Sequence, residues 1–398
     1  MSLFTAVEMA PRDPILGLNE QFNSDASPAK VNLGVGVYYD DNGKLPLLQC
    51  VQAAEASMAA APKPRGYLPI EGIAAYDSAV KALVFGADSE PVTSGRVATA
   101  QGIGGTGGLK IGADFLKKLS PNANVLISDP SWENHRALFT QAGFAVESYP
   151  YYDAHRRGVN FDGMLAALNA AASGTIVVLH ACCHNPTGYD ITAAQWEQVI
   201  ASVKARNLTP FLDMAYQGFG YGIVEDGAVI GKFVAAGLSF FVSTSFSKSF
   251  SLYGERVGAL SVLCQSKDEA DKVLSQLKLV IRTNYSNPAT HGGSVVAMVL
   301  NTPALRAQWE AELGEMRIRI KAMRHKLVDG LKAAGVQQDM GFITRQIGMF
   351  SYSGLSKDQM VRLRSEFGVY GTDTGRMCVA ALNSHNIDYV CAAIAKVM

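Results

Sequence analysis

Short apolar runs alternate with longer amphipathic stretches through the middle of the chain. The intervening stretches have helical periodicity, as in Gly107–Lys118 and Thr192–Arg206. Seven apolar runs have the length of strands: Arg96–Ala100, Val125–Ser128, Ala145–Tyr149, Thr175–His180, Pro210–Asp213, Phe240–Thr244 and Gly258–Leu263. Because strand–helix alternation favours parallel strands with helices on both faces, we predict an α/β fold with a mainly parallel seven-stranded sheet.

A long apolar stripe predicts one helix of about 28 residues that ends near Gly335. Its members, three or four residues apart, are Leu305, Trp309, Leu313, Met316, Ile320, Met323, Leu327 and Leu331. The remaining tail predicts a strand around Gly348–Tyr352, a helix over Lys357–Phe367, a strand around Met377–Ala381 and a last helix up to Met398.

This organisation predicts two domains and a short N-terminal arm. The arm covers residues 1–12, and a small α+β domain combines residues 13–45 with residues 311–398. The large domain, residues 46–310, contains the predicted sheet. A chain of 398 residues is long enough for this division.

Composition narrows the classes of protein that fit. Lys plus Arg and Asp plus Glu both total 35, so the chain lacks the positive charge of a nucleic-acid-binding protein. Hydrophobic residues make up 48%, which excludes a disordered chain, and no apolar run reaches the roughly 18 residues of a membrane helix. The first 13 residues do not form a secretory signal.

The six cysteines form no CxxC pair, although Cys182 and Cys183 are neighbours. We therefore expect reduced thiols and a cytoplasmic protein. The seven histidines lack the spacing of a metal-ligand motif, so no metal site is expected.

A glycine-rich loop follows the first predicted strand and precedes a helix. Gly102, Gly104 and Gly107 match GxGxxG, and Asp129 follows after the next strand, which is the pattern of an NAD-dependent oxidoreductase. Glycines at a helix N-terminus accept any phosphate group, however, and a tight turn without ligand is a further alternative. Other residues must decide between these interpretations.

Isolated charges in long uncharged segments supply that information. Lys248 is the first charged residue after Lys232, and a lysine in such surroundings can act as an amine nucleophile or base. Asp213 ends an apolar strand, where ligands of open α/β sheets bind. Arg282 and Arg376 are similarly isolated and suit planar carboxylates. Taken singly, each also fits a structural role, a loop cap or a lysine that reaches solvent.

Together, an amine, a carboxylate, a phosphate cradle and arginines suggest a Schiff-base enzyme that uses pyridoxal phosphate. The whole chain also resembles the class I aminotransferases of fold type I, closest to the bacterial aromatic-amino-acid (tyrosine) aminotransferases. The segments that carry this resemblance include Asn32–Tyr38, Tyr67–Gly72, Gly104–Gly107, Asp129–His135, His184–Gly188, Asp213–Gly218, Ser245–Gly258, Asn284–Pro288 and Gly375–Met377.

The resemblance implies an aspartate-aminotransferase-like fold and assigns roles to single residues. Lys248 would form the Schiff base with pyridoxal 5'-phosphate, and Asp213, supported by His135, would pair with the ring nitrogen. Tyr216 and Asn185 would bind the phenolic oxygen. The remaining cofactor ligands would be Trp132 on the ring and, at the phosphate, Gly105, Thr106, Ser245, Ser247, Arg256 and Tyr67, the last from a neighbouring subunit.

The resemblance also implies the substrate side of the site. Arg376 would bind the α-carboxylate, and Arg282 of the neighbouring subunit would bind a second carboxylate. Val35, Gly36, Trp132, Asn185 and Phe350 would line the substrate pocket. The implied protein is a homodimer with shared sites that acts on amino acids and 2-oxo acids by a ping-pong mechanism.

The expected reaction moves the amino group of tyrosine, phenylalanine and also aspartate to 2-oxoglutarate. An aspartate aminotransferase that prefers dicarboxylates is the close alternative, and an NAD-dependent oxidoreductase or a catalytically silent binding protein are alternatives from other classes. Asp373 departs from the small uncharged residues that relatives carry there. It would either pair with a nearby base or weaken carboxylate binding by Arg376.

Overall fold

The computed structural model describes residues 2–398, which separate into two compact units. The larger unit consists of Leu45–Lys321 and Gln346–Gly348. The smaller unit consists of the residues up to Lys44, together with Ala322–Arg345 and Met349–Met398. The sequence-based boundary between residues 310 and 311 stays a prediction, and it falls inside one continuous helix.

The strands in chain order are β1 Val31–Asn32, β2 Val97–Ile103, β3 Asn124–Asp129, β4 Ala145–Pro150, β5 Tyr152–Asp153, β6 Gly158–Val159, β7 Ile176–His180, β8 Thr209–Met214, β9 Phe240–Ser245, β10 Val257–Leu263, β11 Phe350–Tyr352, β12 Val369–Tyr370 and β13 Arg376–Cys378. The helices are α1 Leu16–Ser24, α2 Gln49–Ala60, α3 Ala74–Phe85, α4 Glu90–Thr93, α5 Gly104–Leu119, α6 Glu133–Gln141, α7 Phe161–Ala170, α8 Ala193–Ala205, α9 Ile223–Ala235, α10 Lys267–Asn284, α11 His291–Asn301, α12 Pro303–Ala333, α13 Lys357–Phe367 and α14 Ile387–Val397. Short 3-10 helices cover Tyr253–Glu255, Gly341–Arg345 and Val379–Ala381.

The larger unit is built on a mixed sheet with the strand order β2-β10-β9-β8-β7-β3-β4. Its pairs are parallel except for those of β10, which runs antiparallel to both β2 and β9. Strands β7, β8 and β9 are buried along almost their whole length, as expected for a sheet covered on both faces. The predicted fold class and the seven strands are confirmed.

Helix α5 packs on this sheet through large side chains such as Phe115, whose ring lies 6.2 Å from that of Phe241, and through glycines that let the backbones approach closely. A Cβ atom on Gly108 would lie 2.6 Å from Ser243 Oγ and 2.7 Å from the Ala259 carbonyl oxygen. A Cβ atom on Gly112 would lie 2.6 Å from the Phe211 ring. The glycines of this loop and helix therefore serve close backbone approach, which holds the start of α5 against the ends of β9 and β10.

The long helix α12 begins and ends within two residues of the predicted stripe, and its apolar face is buried from Trp309 to Leu331. In the smaller unit, β1 pairs in parallel with β12, and β11 pairs in antiparallel with β13. Helix α13 matches its predicted bounds, and Ser356 begins it with a capping box.

Two predictions about the tail are wrong in detail. The strand expected over Met377–Ala381 ends at Cys378, and Val379–Ala381 form a 3-10 turn closed by the Leu382 amide. An unbroken apolar run carries no periodicity that separates strand from turn. The strand expected from Gly348 begins only at Phe350, because its partner β13 offers three residues for pairing.

No helix in the part of the chain that the structure describes is long and apolar enough to span a membrane. The six cysteines are all buried, and none of them forms a disulfide within residues 2–398.

Two glycine-to-alanine substitutions test the packing of α5. G108A should destabilise the protein by about 1–3 kcal/mol, because its Cβ atom has no space against β9 and β10. G231A, on the exposed face of α9 with no neighbour within 4 Å, should stabilise it by about 0.5–1 kcal/mol. Urea unfolding midpoints measure both effects, and equal midpoints for the two variants would contradict the packing argument.

Candidate active site

The site in the larger unit forms where β2, β8 and β9 end. Gly104 and Gly105 begin α5 directly after β2, while Ser245 ends β9 and leads to Lys248. Ser243 Oγ donates to the Gly105 carbonyl oxygen over 2.9 Å, and this buried bond joins the two segments. Backbone N–H groups at the start of a sixteen-residue helix therefore face the same region as the serines after β9.

Arg256 lies beside the start of α5 and these serines, and its backbone conformation is strained. We call these groups together the phosphate cradle. Its φ of 53° lies in the left-handed region, and its carbonyl oxygen accepts from the Gly104 amide over 2.9 Å. Its Nη1 donates to Ser247 Oγ at 3.3 Å and to the Tyr253 carbonyl at 3.1 Å. A Cβ atom on Gly104 would collide with the guanidinium. Glycine is thus required where the arginine side chain crosses the loop.

Asp213 lies near the carboxyl end of β8 and is 5% exposed. His135 Nε2 donates to its Oδ2 over 2.8 Å, while its Oδ1 is buried and has no hydrogen-bond partner among residues 2–398. Burial alone would raise the pKa of Asp213, but the hydrogen bond and attraction of His135 lower that pKa below its usual value. The carboxylate is therefore charged and presents one free acceptor.

Sequence reasoning missed the role of two further histidines, the half-buried His180 beside this carboxylate and the buried His184, whose ring lies 4.2 Å from that of His180. His180 pairs with Asp213 in the register of β7 and β8, and its ring lies 5.0 Å from that of His135. Burial, then repulsion from neighbouring rings, holds the pKa of both histidines well below the usual range. Both are therefore neutral, and His135 is the histidine that hydrogen-bonds to Asp213. The sequence contained a signal for this position, because His180 lies at the end of one strand and Asp213 lies near the end of the following strand.

Lys248 lies on the other side of the site, half-buried, with its Nζ 5.2 Å from the centre of the Tyr216 ring. Asn185 Nδ2 donates to the Tyr216 hydroxyl over 3.4 Å, and both side chains are buried. Trp132 meets His135 edge-on, with ring centres 5.2 Å apart. The structure therefore brings the predicted lysine, tyrosine, asparagine and tryptophan together around Asp213.

Trp309, recognised from sequence only as part of an apolar stripe, positions the lysine segment. Its indole N–H donates to the Ser249 carbonyl over 2.7 Å, in a buried hydrogen bond. Its ring stacks on Phe250 with centres 4.6 Å apart. Helix α12 thus fixes the two residues that follow Lys248.

These residues fit pyridoxal phosphate on chemical grounds. The unpartnered oxygen of Asp213 suits a protonated ring nitrogen, and Lys248 supplies an amine for the aldehyde. The helix N-terminus, with serine hydroxyls and Arg256, supplies the donors that a phosphate group requires.

In the smaller unit, Arg376 begins β13 and is 1% exposed. Its Nη2 donates to the Gly34 carbonyl over 2.7 Å, and its guanidinium lies 4.4 Å from the centre of the Phe350 ring. A Cβ atom on Gly36 would lie 2.7 Å from the same ring. The residues from Gly34 to Gly36 and Phe350 therefore hold the arginine in one orientation.

Asp373 pairs with the surface arginine Arg364, whose Nη1 lies 3.0 Å from the carboxylate. Arg376 is held separately, since its backbone N–H donates to Thr372 Oγ1 at 3.2 Å. Of the two effects considered for Asp373, the structure shows the pairing with a nearby base.

Two predicted site residues are exposed on the isolated chain. The Tyr67 side chain is 96% exposed. Arg282, in the last turn of α10, is also exposed and donates to Ser286 Oγ.

The position of Asp129 argues against a dinucleotide site at the glycine loop. In that fingerprint the strand after the glycine helix lies beside the strand before it. Here β10, β9, β8 and β7 separate β2 from β3, so Asp129 ends a strand remote from the loop. The GxGxxG spacing is therefore present without the strand order of a dinucleotide-binding fold.

Comparison with known proteins agrees with this site. Residues 28–394 match the family model for aminotransferase class I and II, and the chain belongs to that family. It is 63% identical to an aspartate aminotransferase of Pseudomonas aeruginosa and 51% identical to the aromatic-amino-acid aminotransferase of Escherichia coli, each over the full length of both chains.

Among solved structures, an aromatic-amino-acid aminotransferase of Burkholderia pseudomallei, covalently bound to pyridoxal phosphate, is 67% identical with a TM-score of 0.97. That alignment covers 100% of both chains. The predicted family, enzyme class and cofactor are confirmed: the chain is a pyridoxal-phosphate-dependent aminotransferase.

Weakening the bond between His135 and Asp213 should shift the pH dependence of turnover. H135N should raise the pKa of Asp213, because the hydrogen bond that favours its charged form is weakened. The acid limb of the kcat/KM profile should therefore move to higher pH. Turnover at neutral pH should fall about 10- to 150-fold, which corresponds to about 1.5–3 kcal/mol for a hydrogen bond to a charged group.

S131A is the matched control, because it removes only the hydroxyl 2.9 Å from His135 Nδ1 and keeps the bond to Asp213. Its acid limb should lie close to that of the wild type. An unchanged acid limb in H135N would show that His135 does not set the protonation of Asp213.

Proposed function

We propose that this enzyme transfers the amino group of tyrosine, phenylalanine and aspartate to 2-oxoglutarate in a ping-pong sequence. The observation that carries the proposal is the charged Asp213 with one buried oxygen unpartnered among the described residues, in the same site as Lys248. A protonated ring nitrogen on a ligand would complete this arrangement.

When bound, pyridoxal phosphate supplies an aldehyde that takes up the amine and a ring that stabilises negative charge at the substrate Cα. Lys248 would hold the cofactor through its amine in the resting enzyme. Once free, its Nζ would act as the base that takes the proton from the substrate Cα and then as the acid that gives it back. Asp213 Oδ1 keeps the ring nitrogen protonated.

The other large-domain residues hold the cofactor in place. Tyr216 and Asn185 would donate to its phenolic oxygen, and Trp132 would stack on its ring. The phosphate ligands are Gly105, Thr106, Ser245, Ser247 and Arg256.

Arginines bind the substrate carboxylates in this proposal. Arg376, buried and fixed by the Gly34 carbonyl, binds the α-carboxylate, while Val35 and Gly36 line the pocket. Arg282 binds the second carboxylate of aspartate and of 2-oxoglutarate. Relatives at 63% and 67% identity are named after aspartate and after aromatic amino acids respectively, which supports activity on both classes.

We further propose a cytoplasmic homodimer in which each chain lends Tyr67 and Arg282 to its partner's site. The exposure of both side chains on the isolated chain supports this arrangement. Six buried free thiols suit a reducing compartment.

Removal of the lysine amine tests the reaction. K248A should lose the visible absorption band of the lysine-bound cofactor and at least about 10³-fold in kcat, because no other amine moves the proton at Cα. In the wild type, addition of phenylalanine or aspartate should bleach that band.

The same spectra separate the alternatives. A band that amino acids leave unchanged would indicate a protein that only binds the cofactor. Absence of any visible band, with quenching of NADH fluorescence, would indicate an oxidoreductase. Normal turnover in K248A would overturn the assignment of the lysine.

Arg282 should separate the two substrate classes. R282A should lower kcat/KM for aspartate about 10²- to 10³-fold, within the 2–5 kcal/mol typical of a lost buried charge pair. Phenylalanine, which has no second carboxylate, should be affected less than about threefold. R306A, which breaks a surface pair with Glu310, is the control. An equal loss for both substrates in R282A would exclude the proposed role.

A further inference from the structure

The side chain of Gln101 lies behind the glycine loop, is 2% exposed and bonds to two separate segments. Its Oε1 accepts from the Ile73 amide over 3.2 Å, and its Nε2 donates to the Ala289 carbonyl over 3.0 Å. Its backbone contributes two further bonds, from its N–H to the Glu71 carbonyl at 2.7 Å and from the Tyr285 hydroxyl to its carbonyl at 3.2 Å. One residue therefore links β2 to both segments.

The two segments pack against Gln101 without free space. Gly72 has a φ of 111°, and a Cβ atom there would collide with the Cβ atom of Gln101. A Cβ atom on Gly293, in α11, would lie 2.5 Å from Gln101 Nε2. The Lys278–Glu71 ion pair, at 2.7 Å, also ties the first segment to α10. The amide of Gln101 is thus enclosed by the segments to which it is hydrogen-bonded and by α11.

Each of these segments adjoins an exposed residue that the proposed function assigns to the partner's site. The segment Glu71–Ile73 follows Tyr67, and the segment Tyr285–Ala289 follows Arg282. Two residues after Gln101, β2 ends at Ile103 and α5 begins with Gly104 and Gly105, where the proposed function places the phosphate of the chain's own site.

We infer that Gln101 is a positioning residue that places Tyr67 and Arg282 for the partner's site and ties them to the chain's own phosphate cradle. This inference rests on the proposed dimer with shared sites. Because its two side-chain bonds end on backbone atoms of different segments, loss of the amide removes one bond from each segment at once and loosens both. A displacement of about 1 Å at a substrate-binding group costs up to about 10²-fold in rate.

Hybrid dimers separate the effect of Gln101 on the partner's site from its effect on the site of its own chain. Chains carrying different affinity tags are co-expressed, and in every hybrid one chain carries K248A, so a single site is active. In the first hybrid Q101M lies on the K248A chain, which lends its Tyr67 and Arg282 to the active site. In the second hybrid Q101M lies on the active chain. The site of that chain receives Tyr67 and Arg282 from the K248A chain, which keeps Gln101.

In the first hybrid, the ratio of kcat/KM for aspartate to that for phenylalanine should fall about 10- to 100-fold from the value of the K248A/wild-type hybrid. In the second hybrid that ratio should stay within about threefold. An unchanged ratio in the first hybrid, or an equal fall in both, would overturn the inference. Q101N, whose shorter amide cannot span both segments, repeats the test should Q101M fail to fold.

Two controls complete the design. T99V removes the buried Thr99–Ser261 hydroxyl contact of 2.8 Å on the same strand, and an equal ratio change in T99V would contradict a specific role for Gln101. R282A on the K248A chain tests the dimer itself. Unaltered aspartate turnover there would refute site sharing, whereas a fall there with an unchanged Q101M hybrid would refute only the role of Gln101.

Discussion

The active site of this aminotransferase depends on a carboxylate that stays charged inside the protein. Burial penalises the charged form of Asp213, and the His135 hydrogen bond at 2.8 Å more than offsets that penalty. His180 and His184 stay neutral for the same reason, so they add no competing positive charge. The site therefore presents a charged carboxylate oxygen that can bind a cationic group of a ligand.

The sheet supplies the geometry for this arrangement. Asp213 and His180 stand opposite each other because β7 and β8 run parallel in register, and β9 ends beside them with the serines that precede Lys248. Arg256 comes directly before the antiparallel β10, next to the glycine loop. Since all these residues sit at strand ends, small shifts in register would separate the ring-nitrogen partner from the phosphate cradle.

Residues that carry isolated charges could be found in the sequence, because an ionised group in an apolar segment needs a specific reason to be there. Lys248 and Asp213 were identified in this way, and the family and strand pattern were confirmed. The neutral histidines and Gln101 were not, since their states depend on which distant strands become neighbours. The order of the seven strands also decides that Asp129 lies far from the glycine loop, which spacing alone does not reveal. The individual roles of the site residues stay predictions.

The unpartnered oxygen of Asp213 also has a thermodynamic consequence for the protein without its cofactor. In the folded state Asp213 Oδ1 lacks a hydrogen bond among the described residues, whereas water provides one in the unfolded chain. A ligand that binds only the folded state stabilises it in proportion to the logarithm of its concentration. The carboxylate that serves the reaction therefore makes the stability of this fold depend on the supply of its cofactor.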